Sequence, residues 1–396
     1  MSSASRGSAG LPAAVPRVYL DYASFSPVDP RVVAVMRPFL EGGVGNPGAQ
    51  HSLGLEARAS LDGARTKVGR LVGGAPAGVL FTSSATEANN LAIRGLAGRA
   101  RGRHVVTSAV EHVSVINCCR ELEKHGFRVT YVGVDADGCV DPAAVARALS
   151  DDTALVSITA ACGEIGTLQP IREIGHLARE RGVPFHVDAV GAAGRVAIAV
   201  DDASIDLLTL SSNDLYGPPG AGALWVRPGT PLVPLILGGG QEGGFRSGTE
   251  NLPAIAGMGV AADLARAEGA AEVARLRKLR DRLLAGLLDR MPAARLTGAL
   301  GDGRLPHHAS IVVPDVKADG VLLELDLRGV AASSGSACSA VTGEPSHVLR
   351  AIGMDRDAAE GSLCFTLGRW TGAGDIDFVL DAVPAVVERL RRLAPR

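Results

Sequence analysis

Residues 78–93 read GVLFTSSATEANNLAI, and the fold is predicted from this stretch outward. The short apolar run Gly78–Ser83 has the composition of a buried strand, whereas Glu87–Leu96 places apolar residues every three to four positions, as a helix does. The turn Ser84-Ala85-Thr86 opens that helix, and the free amides of a helix N-terminus suit a phosphate. The stretch therefore predicts a strand that leads through a ligand-binding turn into a helix.

The same alternation of strand and helix continues to residue 226. Further strands are predicted at His104–Ser108, Arg128–Val134, Ala154–Ile158, Pro184–Asp188, Leu207–Leu210 and Gly222–Val226. Helices are predicted between them at Val113–Lys124, Pro142–Leu149 and Ile171–Arg181. Alternation of this kind indicates an α/β fold with a mostly parallel sheet and helices on both faces.

A different pattern follows a long predicted helix that runs from Leu252 to Met291. Its elements are strand Ala309–Val313, helix Gly320–Leu327, loop 331–344, helix Glu344–Ile352, strand Ser362–Leu367 and helix Ile376–Leu393. They predict a smaller α+β domain. We expect a disordered tail at residues 1–16, a large domain at 17–260 and the smaller domain at 261–396, with segment 17–40 able to pack against the smaller domain.

Composition excludes several classes of protein. The 396 residues include 40 Lys and Arg against 42 Asp and Glu, and this near-zero net charge of −2 argues against nucleic-acid and membrane partners. No apolar run approaches the roughly 18 residues of a membrane span. Six cysteines without a Cys-x-x-Cys spacing fit a reducing compartment, so a cytoplasmic location is expected.

Residues that follow the predicted strands are the candidates for chemistry. In an open α/β sheet, ligands bind beyond the carboxyl ends of the strands. The segments at those positions are Ser83–Thr86, Val110–His112, Cys162–Glu164, Asp188–Gly191 and Ser211–Asp214. Together they supply hydroxyls, a histidine, two aspartates, two glutamates and a cysteine, which predicts a functional site at one edge of the sheet.

The ordered motifs of the chain resemble those of cysteine desulfurases of the NifS/IscS type. This family belongs to the class-V aminotransferases, within the fold-type I pyridoxal-phosphate (PLP) enzymes, whose large domain is like that of aspartate aminotransferase. The matching motifs are VYLDYAS (18–24), GNPGAQHSLGLEAR (45–58), FTSSATEANNLAI (81–93), EH (111–112), EIGTLQPI (164–171), FHVDAVGAAG (185–194), YGPPGAGALWV (216–226), GGGQEGGFRSGTEN (238–251) and SSGSACSAVTGEPSHVLRAIG (333–353). The resemblance implies the fold-type I large domain with a smaller α+β domain.

The resemblance also implies that the cofactor lysine is missing. The family holds PLP as a Schiff base on the lysine of a Ser-x-His-Lys sequence, and here that segment ends in Asn213 and Asp214. A carboxylate cannot form the Schiff base or carry the lysine's proton. The four lysines of the chain are Lys67, Lys124, Lys278 and Lys317, and none is predicted at the sheet edge. We therefore expect no covalently bound cofactor.

Other expected contacts differ from the family pattern. Cys162 stands at the amide position beside the cofactor's phenolic oxygen, and Gly191 stands where a glutamine is expected. Cys364 replaces the arginine of the last strand that would pair with a substrate carboxylate, which removes a bidentate contact.

Several other positions keep the residue that the resemblance implies. Asp188 would pair with the pyridine nitrogen and His112 would stack on the ring. The positions expected around the phosphate are Ala85, Thr86, Ser211 and Thr249, with Asn213 beside them. Cys338, on a Gly/Ser-rich loop, matches the sulfur-accepting cysteine.

Five interpretations of this altered site stay open. In the first, a lysine-less desulfurase homologue handles sulfur through Cys338, by accepting a persulfide or by providing a ligand to an iron–sulfur cluster shared with a partner. The family's homodimer would be kept, with the Gly238–Thr249 loop reaching the neighbouring subunit. Its partners would be a sulfur acceptor, an iron–sulfur scaffold or an active desulfurase. In a separate interpretation, the chain is a catalytically silent subunit that stabilises an active homologue in a heterodimer.

In the second interpretation, Asp214, Asp188 and His112 form the site of a repurposed enzyme that works without PLP in a biosynthetic pathway. Paired carboxylates push their pKa values apart, giving an acid and a base. Ligand spacing supports no metal. The third interpretation keeps PLP bound weakly and without a covalent bond, and the fourth is an active PLP-dependent desulfurase despite the substitutions. His307 and His308, in a turn, are expected to be exposed to solvent.

Overall fold

The computed structural model of the chain describes residues 18–42, 45–335 and 346–393. Its strands are β1 (Val18–Tyr19), β2 (Val79–Thr82), β3 (His104–Ser108), β4 (Arg128–Val132), β5 (Thr153–Thr159), β6 (Phe185–Asp188), β7 (Leu207–Ser211), β8 (Gly222–Val226), β9 (Arg295–Leu296), β10 (His308–Val312), β11 (Val330–Ala331) and β12 (Ser362–Thr366). Its α-helices are α1 (Pro30–Glu41), α2 (Ser52–Leu71), α3 (Ala85–Ala97), α4 (Val113–Lys124), α5 (Pro142–Ala148), α6 (Ile171–Glu180), α7 (Leu252–Arg290), α8 (Ala318–Leu327), α9 (His347–Ala351), α10 (Arg356–Glu360) and α11 (Ala373–Leu393). None of these helices is both long and apolar enough to cross a bilayer.

Seven strands form the large sheet, in the order β2-β8-β7-β6-β5-β3-β4. Strands β4, β3, β5, β6 and β7 form parallel pairs, whereas β8 runs antiparallel between β7 and β2. The predicted α/β fold class with a mostly parallel sheet is confirmed. Two strands and one helix, β3, β8 and α4, have the predicted bounds, and the other predicted strands of this sheet differ by one or two residues.

Burial explains why the central strands are rich in apolar and β-branched residues. Every residue of β3, β5 and β6 is buried, as expected where helices cover both faces of a parallel sheet. On one face, α3 and α4 pack Leu91, Ile93 and Val115 against Leu155 and Leu207. The packing of helices on the sheet holds its strands in place, and with them the segments that follow the strands.

The opposite face of the sheet packs against α1, α2 and the first part of α7. Val32, Leu61 and Met258 belong to this second layer, together with Phe81 and Trp225 of the sheet. Helix α2 begins at the ring of His51, whose Nδ1 accepts a hydrogen bond from the Gly54 amide. Neither α1 nor α2 was predicted from the sequence pattern.

A separate core surrounds the small antiparallel sheet, whose strand order is β12-β10-β9. Helices α8 and α11 and the second part of α7 pack against it through Val321, Val383 and Leu283. Leu20 packs in this core too, because β1 pairs in parallel with β11. Helix α7 therefore contributes to both cores along its 39 residues.

Candidate functional site

The structure brings the segments that follow five strands to one edge of the large sheet. β3, β5, β6 and β7 are parallel, and β2 has the direction of β7 because both are antiparallel to β8. Their carboxyl ends therefore meet at the same edge. The turn before α3, the Glu111-His112 pair, Cys162, Asp188 and the Ser211–Asp214 segment all lie there.

A chain of hydrogen bonds joins Asp188 to His112. Asn89, on α3, donates from Nδ2 to Asp188 Oδ2 at 2.7 Å and to Ser114 Oγ at 2.9 Å. The hydroxyl of Ser114 lies 2.7 Å from His112 Nδ1, and the Ser114 amide donates to the same nitrogen. Because Nδ1 accepts these bonds, the neutral ring carries its proton on Nε2. His112 is exposed, so its ring is open to a ligand.

Glu111 directly precedes His112 in the sequence and is almost completely buried. Its Oε1 accepts hydrogen bonds from Ser108 Oγ at 2.6 Å and from the Thr159 amide at 2.9 Å, whereas its Oε2 has no partner. Burial raises the pKa of Glu111 to about 8, against the lowering effect of the Ser108 bond. A protonated Glu111 is therefore the form expected near neutral pH.

Asp214 occupies the turn after β7, in the short 3₁₀ helix Asn213–Leu215. Its carboxylate accepts a hydrogen bond from Ser211, and Arg195 and Asp188 act on it through their charges. Burial raises the pKa of Asp214 to about 6, while Arg195 opposes that shift. No Lys, Arg or His nitrogen in the described ranges lies within 4 Å of the Asp214 carboxylate in an ion pair.

Arg195 is the cation whose charge acts on this carboxyl group, and it too lacks a full set of partners. The residue is 9% exposed, and its Nη2 has no hydrogen-bond partner. Together with Asp214 it lines a cavity of about 20 Å³, which suffices for about one water molecule. Tyr216, Glu272 and Arg369 form the opposite wall.

That wall is a fully paired ionic network, unlike Asp214 and Arg195. Arg369 donates from Nε to Glu272 at 3.0 Å and from Nη1 to Asp29, and its guanidinium stacks on Tyr216. The Tyr216 hydroxyl donates to Glu272 at 2.6 Å and accepts from the Arg369 amide at 2.9 Å. The network joins the segment after β12 to α7 and to the large sheet.

The residues expected around a phosphate are arranged at the start of α3 and at the end of β7. Ser84 caps α3 by accepting from the Glu87 amide, so Ala85 and Thr86 form the first turn. Glu87 is bonded to Ser83 and to Arg246 Nε, at 2.5 Å and 2.9 Å. Thr86 and Thr249 are exposed. The Asn213 Oδ1 atom is buried without a partner.

His307 and His308 correct the sequence-based expectation, because both are buried rather than exposed to solvent. His308 begins β10, and its Nε2 lies 2.9 Å from the Gly163 carbonyl and 3.3 Å from Cys364 Sγ. Burial, with Arg304 as a second cause, lowers the pKa of His308 to about 3, and burial raises the pKa of the Cys364 thiol. The pair is therefore a neutral imidazole and a neutral thiol.

Cys162 and Glu164 lie in the segment after β5, and the charge of Glu164 acts on the Cys364 thiol. Burial raises the pKa of the Cys162 thiol to about 12, and the thiol packs with Ile165 and Leu349. Burial also raises the pKa of Glu164 to about 7. Neither cysteine is a thiolate near neutral pH, and the described part of the chain contains no group of three or more residues placed to bind a metal ion.

Cys338 and the residues from 336 to 345 lie outside the described residues, as do residues 1–16 and the end of the chain. Two residues that the sequence analysis did not single out belong to the site. Asn89 is a poor helix former on the apolar face of α3, and this mismatch is a signal that could have found it. Nothing in the pattern pointed to Arg195.

The chain is similar to known proteins of one family. The profile of the aminotransferase class-V family matches residues 18–378. Cysteine desulfurase IscS 1 of Archaeoglobus fulgidus is 45% identical over 379 residues, which are 95% of this chain and 98% of that protein. Cysteine desulfurase IscS of Dictyoglomus turgidum is 43% identical over 380 residues, 96% of each chain. A solved NifS-like protein superposes with a TM-score of 0.88 at 32% identity, over 94% of this chain and all of that one.

Proposed function

Because the chain belongs to the class-V aminotransferase family, we propose that it is a sulfur-handling relative of the cysteine desulfurases that forms no Schiff base with PLP and works through the thiol of Cys338. One observation carries this proposal: the turn after β7 holds Asp214, a carboxyl group bonded to Ser211. The lysines of the chain lie on α2, α4 and α7 and at the N-cap of α8. No lysine follows a strand of the large sheet.

The residues present fit part of PLP and disagree with the rest. Asp188 accepts one hydrogen bond on each carboxylate oxygen, from Asn89 and from the Val190 amide, and each oxygen keeps a lone pair for a further donor. The exposed ring of His112 and the first turn of α3 suit an aromatic ring and a phosphate. Where the aldehyde needs an amine, the chain offers the Asp214 carboxylate. We therefore assign no step to this cofactor.

The contact for an amino-acid substrate is also altered. Cys364, which the sequence places at the arginine position, is buried beside a neutral His308 and supplies no cation for a carboxylate. Arg304 is near, but its guanidinium donates to backbone carbonyls at Ala299, Thr297 and His308 and to Ser310. Free cysteine would therefore lose the charge-assisted bond that orients it.

The proposed reaction is transfer of sulfane sulfur. The Cys338 thiolate attacks the outer sulfur of a donor persulfide, the donor's sulfur–sulfur bond breaks, and the donor leaves as a thiolate. The product is a persulfide on Cys338, and no external oxidant or reductant is needed. A partner thiol then takes the sulfur in the same way. The donor would be the persulfide of an active desulfurase, and the acceptor would be a further protein thiol or an iron–sulfur scaffold.

The test is persulfide mapping on the full chain. The protein is incubated with an active cysteine desulfurase and cysteine, then alkylated, digested and analysed by mass spectrometry. We expect the sulfane label on Cys338, its loss in Cys338→Ser and its persistence in Cys139→Ser, where the replaced cysteine is half-buried. Label that is absent from Cys338 in the wild-type protein, or a PLP adduct fixed by borohydride, would contradict the proposal.

A second candidate function is favoured by the pKa of Asp214. A partly buried carboxyl group with a pKa of about 6, hydrogen-bonded to Ser211 and close to Asp188, has the properties of a general acid or base. In this function Asp214, Asp188 and His112 would act on a substrate without PLP. Asp214→Asn would abolish that activity, whereas Cys338→Ser would leave it intact. The sulfur-carrier role predicts instead that Cys338→Ser abolishes sulfur transfer and that Asp214→Asn leaves it intact.

A further inference from the structure

Glu164, in the turn after β5, contacts both of the described residues that border segment 336–345. Ser346 follows this segment, and its hydroxyl donates a hydrogen bond to the Glu164 carboxylate. Gly335 precedes the segment and packs so closely on Glu164 that a Cβ atom at Gly335 would lie 3.0 Å from Glu164 Cγ and 3.2 Å from the Glu164 carbonyl oxygen. One residue therefore touches both ends of the segment that contains Cys338.

The residue after the segment is attached to the turn that follows β5. Ser346 begins α9, because its Oγ accepts a hydrogen bond from the Leu349 amide at 3.1 Å. Val348 and Leu349 of this helix pack with Cys162 and Ile165, which lie in the turn after β5. The position of Ser346 is therefore set by the packing of α9 on the large sheet's edge.

The residue before the segment is attached to the small sheet instead. Ser333 exchanges two backbone hydrogen bonds with Cys364 of β12, at 2.7 Å and 3.2 Å, and its hydroxyl accepts from the Gly335 amide at 3.3 Å. Gly335 has a φ of +78°, a conformation that glycine adopts without strain. The two ends of the segment thus depend on different parts of the fold, and Glu164 contacts both of them.

Packing alone does not account for a carboxyl group at this place. The Glu164 Oε1 atom is buried without a hydrogen-bond partner. Burial raises the pKa of Glu164, and the bond from Ser346, rather than a cation, opposes that rise. A buried polar atom without a partner costs free energy, so an apolar side chain of the same length would serve packing better. What the carboxyl group adds is its contact with Ser346.

We propose that Glu164 is a positioning residue for sulfur transfer: it holds Gly335 and Ser346 at a fixed separation, so that the segment between them is anchored at both ends when a donor persulfide meets the Cys338 thiol. The inference rests on the proposed function, because it concerns the same thiol. Glu164 itself neither touches the transferred sulfur nor exchanges a proton in the reaction.

The experiment measures the rate of sulfur transfer from an active cysteine desulfurase, supplied with cysteine, to Cys338 of the full chain. Glu164→Gln keeps an acceptor for the Ser346 hydroxyl, whereas Glu164→Met keeps the length of the side chain and removes the acceptor. We expect Glu164→Gln to transfer at about the wild-type rate. Glu164→Met should be slower by roughly tenfold or more, because a displacement of about 1 Å can lower a rate by as much as about a hundredfold.

Alkylation of Cys338 by iodoacetamide separates position from reactivity. This small reagent needs no docked surface, so its rate with Cys338 should be nearly the same in the wild-type protein and both variants. Mass spectrometry of the digested protein follows both reactions. Equal losses of transfer and alkylation in Glu164→Met would show that Glu164 acts on the thiol itself and would overturn the inference. So would a loss of transfer in Glu164→Gln as large as that in Glu164→Met.

Ser346→Ala tests the same contact from the other side and decides the question if Glu164→Met fails to fold. Because Ser346 also caps α9, the control is Asp355→Ala, which removes the corresponding cap of α10. Slow transfer in Ser346→Ala alone supports the inference, and equal rates in the two variants overturn it. A wild-type protein that takes no sulfur on Cys338 overturns the proposed function and this inference together. Normal transfer in Glu164→Met overturns this inference alone.

Discussion

Asn89 holds the carboxylate of Asp188 through a hydrogen bond of 2.7 Å, and the same amide group reaches Ser114 at 2.9 Å. One side chain of α3 thus sets the orientation of Asp188 at the end of β6 and, through Ser114, of His112 at the start of α4. The two residues expected to contact an aromatic ligand are therefore positioned by a single buried amide.

Replacing Asn89 should weaken the hydrogen bonds that position Asp188 and, through Ser114, His112. Asn89→Ala leaves a buried carboxylate oxygen without its donor, which costs about 1–3 kcal/mol in the free energy of unfolding. Urea unfolding measures the loss. Asn90→Ala is the matched control, because Asn90 is half-buried and its amide bonds within the same helix, donating to the Thr86 carbonyl and accepting from Arg94 at 3.5 Å. Its effect should stay within about 0.5 kcal/mol, and equal effects of the two changes would show that the Asp188 bond contributes nothing specific.

Glu111 should make the stability of the protein depend on pH. Burial raises its pKa to about 8 from an ordinary value of 4.5, so the folded state binds the proton more tightly than the unfolded state. Between those two values, folded Glu111 holds a proton that the unfolded chain does not, so unfolding releases it. The unfolding free energy therefore falls as pH rises. Glu111→Gln keeps the neutral form at every pH.

The measurement is the difference in unfolding free energy between Glu111→Gln and the wild-type protein. This difference should shift in favour of the variant by about 1–3 kcal/mol between pH 5 and pH 8. Glu164 and Asp214, whose pKa values are also raised by burial, contribute to both curves and cancel in the difference. Glu56→Gln, at an exposed position, is the control. A difference that does not change with pH would show that Glu111 is ionised in the folded protein.

Much of the fold follows from the sequence because the central strands are buried on both faces. That burial favours strands rich in apolar and β-branched residues, such as Thr153–Thr159 (TALVSIT), and the pattern marks such strands clearly. Helix α1 was not predicted although it has large apolar residues, because Pro38 interrupts its pattern. Helix α2 was not predicted because it buries mainly glycine, alanine and single branched residues such as Val68. Small residues give a weak periodic signal although they pack closely.

The candidate site, like the fold, could be predicted from the sequence only in part. The segments after the strands could be placed at one edge from the sequence, because parallel strands end together. The partners of each side chain could not. His307 and His308 were expected to be exposed, yet both are buried. They belong to segment 297–308, whose backbone carbonyls accept hydrogen bonds from Arg280 and Arg304. Contacts of this kind depend on long-range packing, which local composition does not encode.

Arg369 should be one of the most important residues for stability. Its guanidinium is 14% exposed and pairs with Asp29 and Glu272, whose side chains are 3% and 15% exposed. Arg369→Ala leaves Glu272 without its arginine and removes one of the two arginines that pair with Asp29, which keeps Arg31, so the variant should cost about 3 kcal/mol in unfolding free energy. Arg282→Ala removes the ion pair of Arg282 with Asp377, whose side chains are both about half exposed. This variant should cost at most about 1 kcal/mol. Denaturant unfolding compares the two, and similar losses would mean that burial of the Arg369 network adds no stability.

Asp214→Lys tests whether the altered turn is what prevents covalent capture of PLP. The new amine would lie near Arg195 in a largely buried place, and both burial and the like charge lower a lysine pKa, which favours the reactive neutral amine. We expect incubation with PLP followed by borohydride to fix about one cofactor per chain in Asp214→Lys and none in the wild-type protein or in Asp214→Asn. Mass spectrometry after digestion should locate the adduct at position 214. Sulfide release from free cysteine should nevertheless stay near background in this variant, because Cys364 and His308 offer no cation to the substrate carboxylate. A cofactor that is fixed equally in all three proteins would place the reactive amine at Lys67, Lys124, Lys278 or Lys317, and the wild-type chain would then be a PLP enzyme of an unusual kind.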